Sequence, residues 1–367
     1  MGIEHEVAVK EKRVRAFLDE AGYDALVLTT QANFAWITGG GDNHLVLASD
    51  AGVASVLVTR EAKVVVTNNI EAERIMAEEI AAPGFDLQAV EWLAPGGAKA
   101  KIGELTRGLK VASDTGIAGS ADEAARVAEL RYSLTPEEIG KYRQLGAHVG
   151  QCIGTVCQGL RPGVTENEIA GRLAESFLSR GITPTVLLVA ADDRIEKYRH
   201  PISTDKKAER CAMLVVCARR WGLIISCTRL VHFGPLPAAL RRKHDAVVAV
   251  DAALNLSTKV GTPLGEIFRA GQQAYADAGF PDEWRRHHQG GATGYAGRDI
   301  IATPDEKRTV QPNQVFAWNP SITGTKSEDT ILVTEAGIEW LSLSPDWPML
   351  DVEFHGRTVQ REAILIL

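Results

Sequence analysis

The 367-residue chain has no surplus of positive charge: 40 lysines and arginines face 47 aspartates and glutamates, for a net charge of −7. Nucleic acids and anionic membrane surfaces are bound by basic groups that neutralise phosphate, so neither partner is expected. No apolar run approaches 18 residues, and no membrane span is expected. The opening Met1-Gly2-Ile3-Glu4-His5-Glu6 lacks the basic-then-apolar order of a signal peptide. The five cysteines (Cys152, Cys157, Cys211, Cys217 and Cys227) are an odd set without C-x-x-C spacing. That excludes a disulfide framework and a cysteine zinc site, and points to reduced thiols in a cytoplasmic protein. What is present is 45% hydrophobic and 24% charged residues, enough for buried cores, and a length that suggests two domains.

The first 130 or so residues alternate helical and strand patterns. Glu11 to Ala21 carries Val14, Phe17 and Leu18 on one helical face and stops at Gly22. Ala25 to Leu28, Val53 to Val58 and Val64 to Thr67 are strand-like, and Glu71 to Glu79 is helical. Thr135-Pro136-Glu137-Glu138 is a capping box with proline at the first helical position, predicting a long helix towards Cys157. Arg161-Pro162-Gly163 breaks it, and Thr165-Glu166-Asn167-Glu168 caps the next helix, striped by Ile169, Leu173 and Phe177 and ended by Gly181. The second half echoes this at one offset: Gly163 with Gly261, Glu168 with Glu266, Ile169 with Ile267, Gly181 with Gly279. A helix start, interior and stop in register predict a duplicated α/β unit, with a ligand cleft between its halves.

In this order the motifs resemble the creatinase, prolidase and aminopeptidase P group, over nearly the whole chain. Asn33-Phe34-Ala35-Trp36-Ile37-Thr38-Gly39 is similar to the N-terminal domain's N-x-x-Y-L-T-G turn. Arg161 to Glu166 resembles the P-G-x-T-E helix start, and Ser327 to Gly337 the E-D-T-v-l-V-T-e-x-G run. The resemblance implies α/β (α+β) architecture: a creatinase-type N-terminal domain over 1–132 and a pseudo-two-fold pita-bread domain over 133–367. In metal-dependent members Asp, Asp, His, Glu and Glu bind two cations that activate water. Matched residue by residue, those positions hold Val215, Ser226, Gly291, Asn319 and Glu328. Only the last ligand is retained, so no metal and no other cofactor is expected.

His200, in Tyr198-Arg199-His200-Pro201, falls where the metal-free creatinase branch has the loop histidine that serves as general acid/base. His287 takes the place of a substrate-side histidine, and Arg298 replaces another histidine with a guanidinium suited to a carboxylate or to pairing Glu328. Thr228 stands where creatinase has one of two guanidinium-holding carboxylates, and Glu328 matches the other. Cys217 and Cys227, beside lost ligand positions, read as buried filler, and His288 as structural. The expected function is therefore metal-independent, creatinase-like chemistry on a small nitrogen-containing substrate: C–N hydrolysis, or a related lyase or rearrangement reaction. His200 and Glu328 would be catalytic, with His287, Arg298, Thr228 and Asn319 substrate-binding. The alternatives are a non-catalytic binding protein on a degenerate peptidase scaffold and a conventional Xaa-Pro aminopeptidase or dipeptidase. By resemblance the chain is a homodimer. Asn33 and Trp36 are candidates to reach the partner's site, against the simpler roles of turn former and core residue.

Overall fold

The computed structural model describes residues 2–367. The chain divides into two compact units, one of residues 1–141 with 221–223 and the other of 142–220 with 224–367.

In the first unit the helix Ile3–Ala21 buries Val7, Val14, Phe17 and Leu18 and ends at Gly22, whose φ of 68° is left-handed. Six strands follow in the order Asp86–Val90, Lys63–Asn68, Ala51–Thr59, Ala25–Thr30, Val111–Ser113, Ala121–Asp122. Ala25–Thr30 runs antiparallel to one neighbour and parallel to the other, and its apolar residues are sealed from water. The segment expected as a turn is instead a helix, Gln31–Thr38. The Thr30 hydroxyl caps it, and Gly39 (φ 78°) ends it. Six consecutive residues of this helix are buried, so packing holds helical a segment whose flanks carry turn signals. Trp36 is core, and the Asn33 amide donates to the Asp114 carboxylate at 2.8 Å.

The second unit is built twice from one plan. The long helix Pro136–Gln158, the shorter helix Glu166–Leu178 and the strands Thr183–Ala191, Cys211–Arg220 and Leu223–His232 make the first pass. Ala238–Ser257, Leu264–Asp277 and the strands Gly290–Thr293, Gln314–Trp318 and Asp329–Thr334 make the second. The shorter helices begin at Glu166 and Leu264, an offset of 98. Thr165 forms the expected reciprocal cap: its hydroxyl accepts from the Glu168 N–H at 3.1 Å, and its own N–H donates to the Glu168 carboxylate at 2.7 Å. Ile169, Leu173 and Phe177 are then fully buried. The half-sheets meet along one seam. There the Thr228 N–H donates to the Glu328 carbonyl at 3.0 Å, while the Thr330 hydroxyl bonds both the N–H and the carbonyl of Ser226. The fold is thus mixed α/β, with a creatinase-like N-terminal domain followed by a pita-bread domain.

Candidate active site

The seam places the middle of one strand beside the start of another. Thr228 lies within Leu223–His232, and Glu328 immediately precedes Asp329–Thr334. Glu328 is 2% exposed, and its two oxygens are both engaged. Oε1 faces the Arg298 guanidinium at 3.3 Å; Oε2 accepts from the Thr228 hydroxyl at 2.7 Å and meets the Lys326 ammonium at 2.7 Å. Burial alone would push this carboxyl up. The charges of Lys326 and Arg298 outweigh that and hold it below the ordinary glutamate range.

Two loops bring histidines to the same place. His200 follows the short helix Asp193–Lys197, and His287 and His288 follow the 3₁₀ turn Glu283–Arg286. One ion pair ties the loops together: Arg199 donates to Glu283 at 2.9 Å and to the Thr323 hydroxyl at 3.0 Å. The Gln289 amide donates to the carbonyls of Trp284 and His287, which fixes the second loop. The Nε2 atoms of His200 and His287 are 3.1 Å apart, and the rings of His287 and His288 stack with centroids 4.4 Å apart. A bond between two Nε2 atoms needs opposite tautomers, one ring donating and the other accepting. Desolvation, reinforced by the Lys326 charge, lowers His200 from the ordinary imidazole value and lowers His287 to about 2. Desolvation and Arg298 lower His288 to about 4. All three rings are therefore neutral bases at neutral pH. Ligand atoms of the three lie within 4.8 Å of one another, and they are the one group of three or more metal-capable side chains among the described residues.

The structure thus unites His200, His287, Arg298, Thr228 and Glu328. Asn319, after Gln314–Trp318, is buried. Its N–H donates to the Gln289 carbonyl, and its side-chain oxygen makes no hydrogen bond. The sequence reading set His288 apart, but the structure brings it into the cluster. It also missed Lys326, although position 326 lies two residues before Glu328. Cys217 shares a 3.2 Å contact with the Ser226 hydroxyl, and Cys227 is fully buried. Burial, with Glu328 adding to it for Cys217, raises both thiols, so neither supplies a thiolate.

Residues 140–335 match metallopeptidase family M24, and residues 11–143 match the creatinase/prolidase N-terminal domain. The chain belongs to family M24. An uncharacterized peptidase of Staphylococcus aureus (strain MW2) is 21% identical over 227 residues, 59% of this chain and 64% of that protein. The chain therefore matches just under two thirds of that relative's length. Among solved structures, an Xaa-Pro dipeptidase from Bacillus anthracis superposes with a TM-score of 0.77 at 18% identity, covering 98% of this chain and all of that one. The N-terminal domain of FACT complex subunit SPT16 from Cicer arietinum (chickpea) gives 0.70 at 12%, covering 92% and 96%.

The M24 name implies metal, and the five matched positions do not fit a pair of cations. Val215 belongs to an apolar cluster with Leu188, Met213 and Leu230. The Ser226 hydroxyl meets the Cys217 thiol and Arg298, and Gly291 offers no side chain. Gly291 has a φ of 147°, and a Cβ there would sit 2.1 Å from the Ile300 carbonyl oxygen. Backbone fills the space in which a histidine would stand. The one carboxylate, Glu328, already has a cation on each oxygen.

Proposed function

We propose that this M24 member acts on a small nitrogen-containing substrate without the paired-cation centre, with His200 as general acid/base. The observation that carries the reading is the His200–His287 contact beside Glu328. A neutral imidazole in a loop, oriented by a second imidazole at 3.1 Å, can accept and return a proton unaided. In a C–N hydrolysis His200 takes a proton from water as the oxygen adds to the carbonyl carbon. It then passes that proton to the departing nitrogen, giving an acid and an amine. His287 orients the His200 ring, and Glu328 anchors Lys326, Arg298 and Thr228. Lyase or rearrangement chemistry would use the same base. The second reading is a non-catalytic binding role, since the fold is shared with a domain of a FACT complex subunit as well as with dipeptidases.

Kinetics of two variants test this once a substrate is in hand. His200→Ala should lose roughly 10²–10⁴-fold in kcat with little change in binding. Glu328→Gln should weaken binding and turnover together, because Lys326 and Arg298 lose their anchor. An unchanged rate in His200→Ala would transfer the role of base to His287, and a binder would show altered affinity with no turnover to lose. Xaa-Pro dipeptides should give no turnover above background, with or without manganese, cobalt or zinc. Proline release abolished by a chelator, with two equivalents of metal per chain, would restore the conventional peptidase reading.

A further inference from the structure

We propose that His200, His287 and His288 together bind one divalent cation of the zinc class, at a site that uses none of the five matched M24 positions. The rings come from opposite passes of the duplicated plan. His200 lies between the strands Thr183–Ala191 and Cys211–Arg220, whereas His287 and His288 precede the strand Gly290–Thr293. An ion held by all three therefore ties the passes together. The Nε2 atoms of His200 and His287 are 3.1 Å apart. Two imidazole nitrogens at about 2.0–2.1 Å from a tetrahedral ion stand roughly 3.3 Å apart, so this pair already has the spacing of two ligands of one ion. A hydrogen bond between the two rings accounts for that spacing, but not for His288. The His288 ring stacks on His287 with centroids 4.4 Å apart and brings a third ligand atom, all three lying within 4.8 Å of one another. Its Nδ1 is buried without a hydrogen-bond partner, so no bond at that atom explains its place in the cluster. Both loops are fixed without an ion: Arg199 is held by Glu283 and Thr323, and the His287 carbonyl by the Gln289 amide. Binding then needs the third nitrogen to close to ligand spacing, which is a side-chain rotation and not a backbone change.

Charge selects the kind of ion. Arg199 is matched by Glu283, and Lys326 and Arg298 face Glu328. Elsewhere in the same unit Arg229 and Arg361 are met by Asp251, Asp329 and Glu362. No net negative charge is left to draw in a cation, and Glu328 has no oxygen to spare. Magnesium and calcium, which need oxygen ligands, therefore find none here. Affinity has to come from bonds to neutral imidazole nitrogen, which suit zinc and its neighbours in the transition series. Three protein ligands leave a tetrahedral ion one position for water or a small anion. An ion on Nε2 also takes the lone pair that proton transfer uses. On the reading above, the metal-bound and proton-moving forms of His200 thus exclude each other; the binding site itself does not depend on that reading.

The test is calorimetric titration of the chelator-treated full chain with zinc chloride and, separately, with magnesium chloride. Zinc should bind at one equivalent per chain with a Kd of about 1 μM or tighter, and magnesium should show no binding at about hundredfold higher concentration. His200→Ala and His288→Ala should each weaken zinc by at least about tenfold, since loss of an outer-shell partner alone costs that much. His355→Asn, which alters an exposed histidine outside the cluster, should bind zinc as the wild type does. Binding is read without turnover, so failure of the acid/base assignment leaves the result intact. No zinc binding by the wild type at about 100 μM, two equivalents per chain, or magnesium bound as tightly as zinc overturns the proposal without any variant. So does zinc affinity that is unchanged in folded His200→Ala or His288→Ala.

Discussion

At the scale of single residues, the site's behaviour is set by which groups are charged. A base whose value is lowered keeps its working, neutral form in mildly acidic solution. The kcat profile should therefore stay flat from pH 8 to below 6.5, the ordinary imidazole value, and fall only at lower pH. An acid limb centred above 6.5 would contradict His200 as base. The same depression bears on stability. Between each lowered value and 6.5 the unfolded chain binds more protons than the folded one, so stability rises with pH across that window. Thus the histidine contribution is neutral above pH 6.5 and increasingly destabilising as pH falls towards about 4, the value for His288. His288→Gln should lose melting temperature less steeply than the wild type between pH 6.5 and 4. Most of these residues could be found in the sequence because motifs fix their spacing. The Arg199–Glu283 pair could not, because its partners are 84 residues apart, and Lys326, although two residues from Glu328, carries no motif that distinguishes it from a solvated charge.

At the scale of elements, legibility follows how local the cause is. The Thr165–Glu168 cap closes within four residues, and both its ends are visible in the chain. The Gln31–Thr38 helix is stabilised by burial against the rest of its unit, which no window of eight residues reveals. The strand Gly290–Thr293 combines both cases. Its two glycines are plain in the sequence, but the reason for them is the Ile300 and Ala317 carbonyls, 2.1 and 2.2 Å from where their Cβ atoms would stand. Gly291→Ala should accordingly cost several times the ~1 kcal/mol of an ordinary glycine substitution. Urea unfolding checks this, and a variant as stable as the wild type would show that the strand yields easily.

At the scale of the whole molecule, the two-pass plan leaves charge in the interior. Arg361 and Arg229, each 1% exposed or less, share Asp329, and Arg361 also holds Asp251 at 2.5 Å while Arg229 holds Glu362 at 2.7 Å. Desolvation raises Glu362 to about 7 and raises Asp251, whereas Arg229 and Arg361 outweigh burial and keep Asp329 low. Truncating Arg361 strips Asp251 of the cation it pairs with and leaves Asp329 to Arg229 alone, so Arg361→Met should destabilise by about 3–5 kcal/mol at pH 7. A midpoint shift in urea measures it, and a neutral result would mean the network relaxes by proton uptake. Asp329 was readable as part of a motif. Arg361 and Glu362 were not, since they reach the seam from strands near the C-terminus that carry no pattern of their own.

The glycine at 291 also bears on redesign. Substituting histidine there would not by itself create a ligand position, because the carbonyl of Ile300 would first have to move and carry its strand pairing with it. An imidazole can be installed in this strand only together with a reshaped backbone in the neighbouring one.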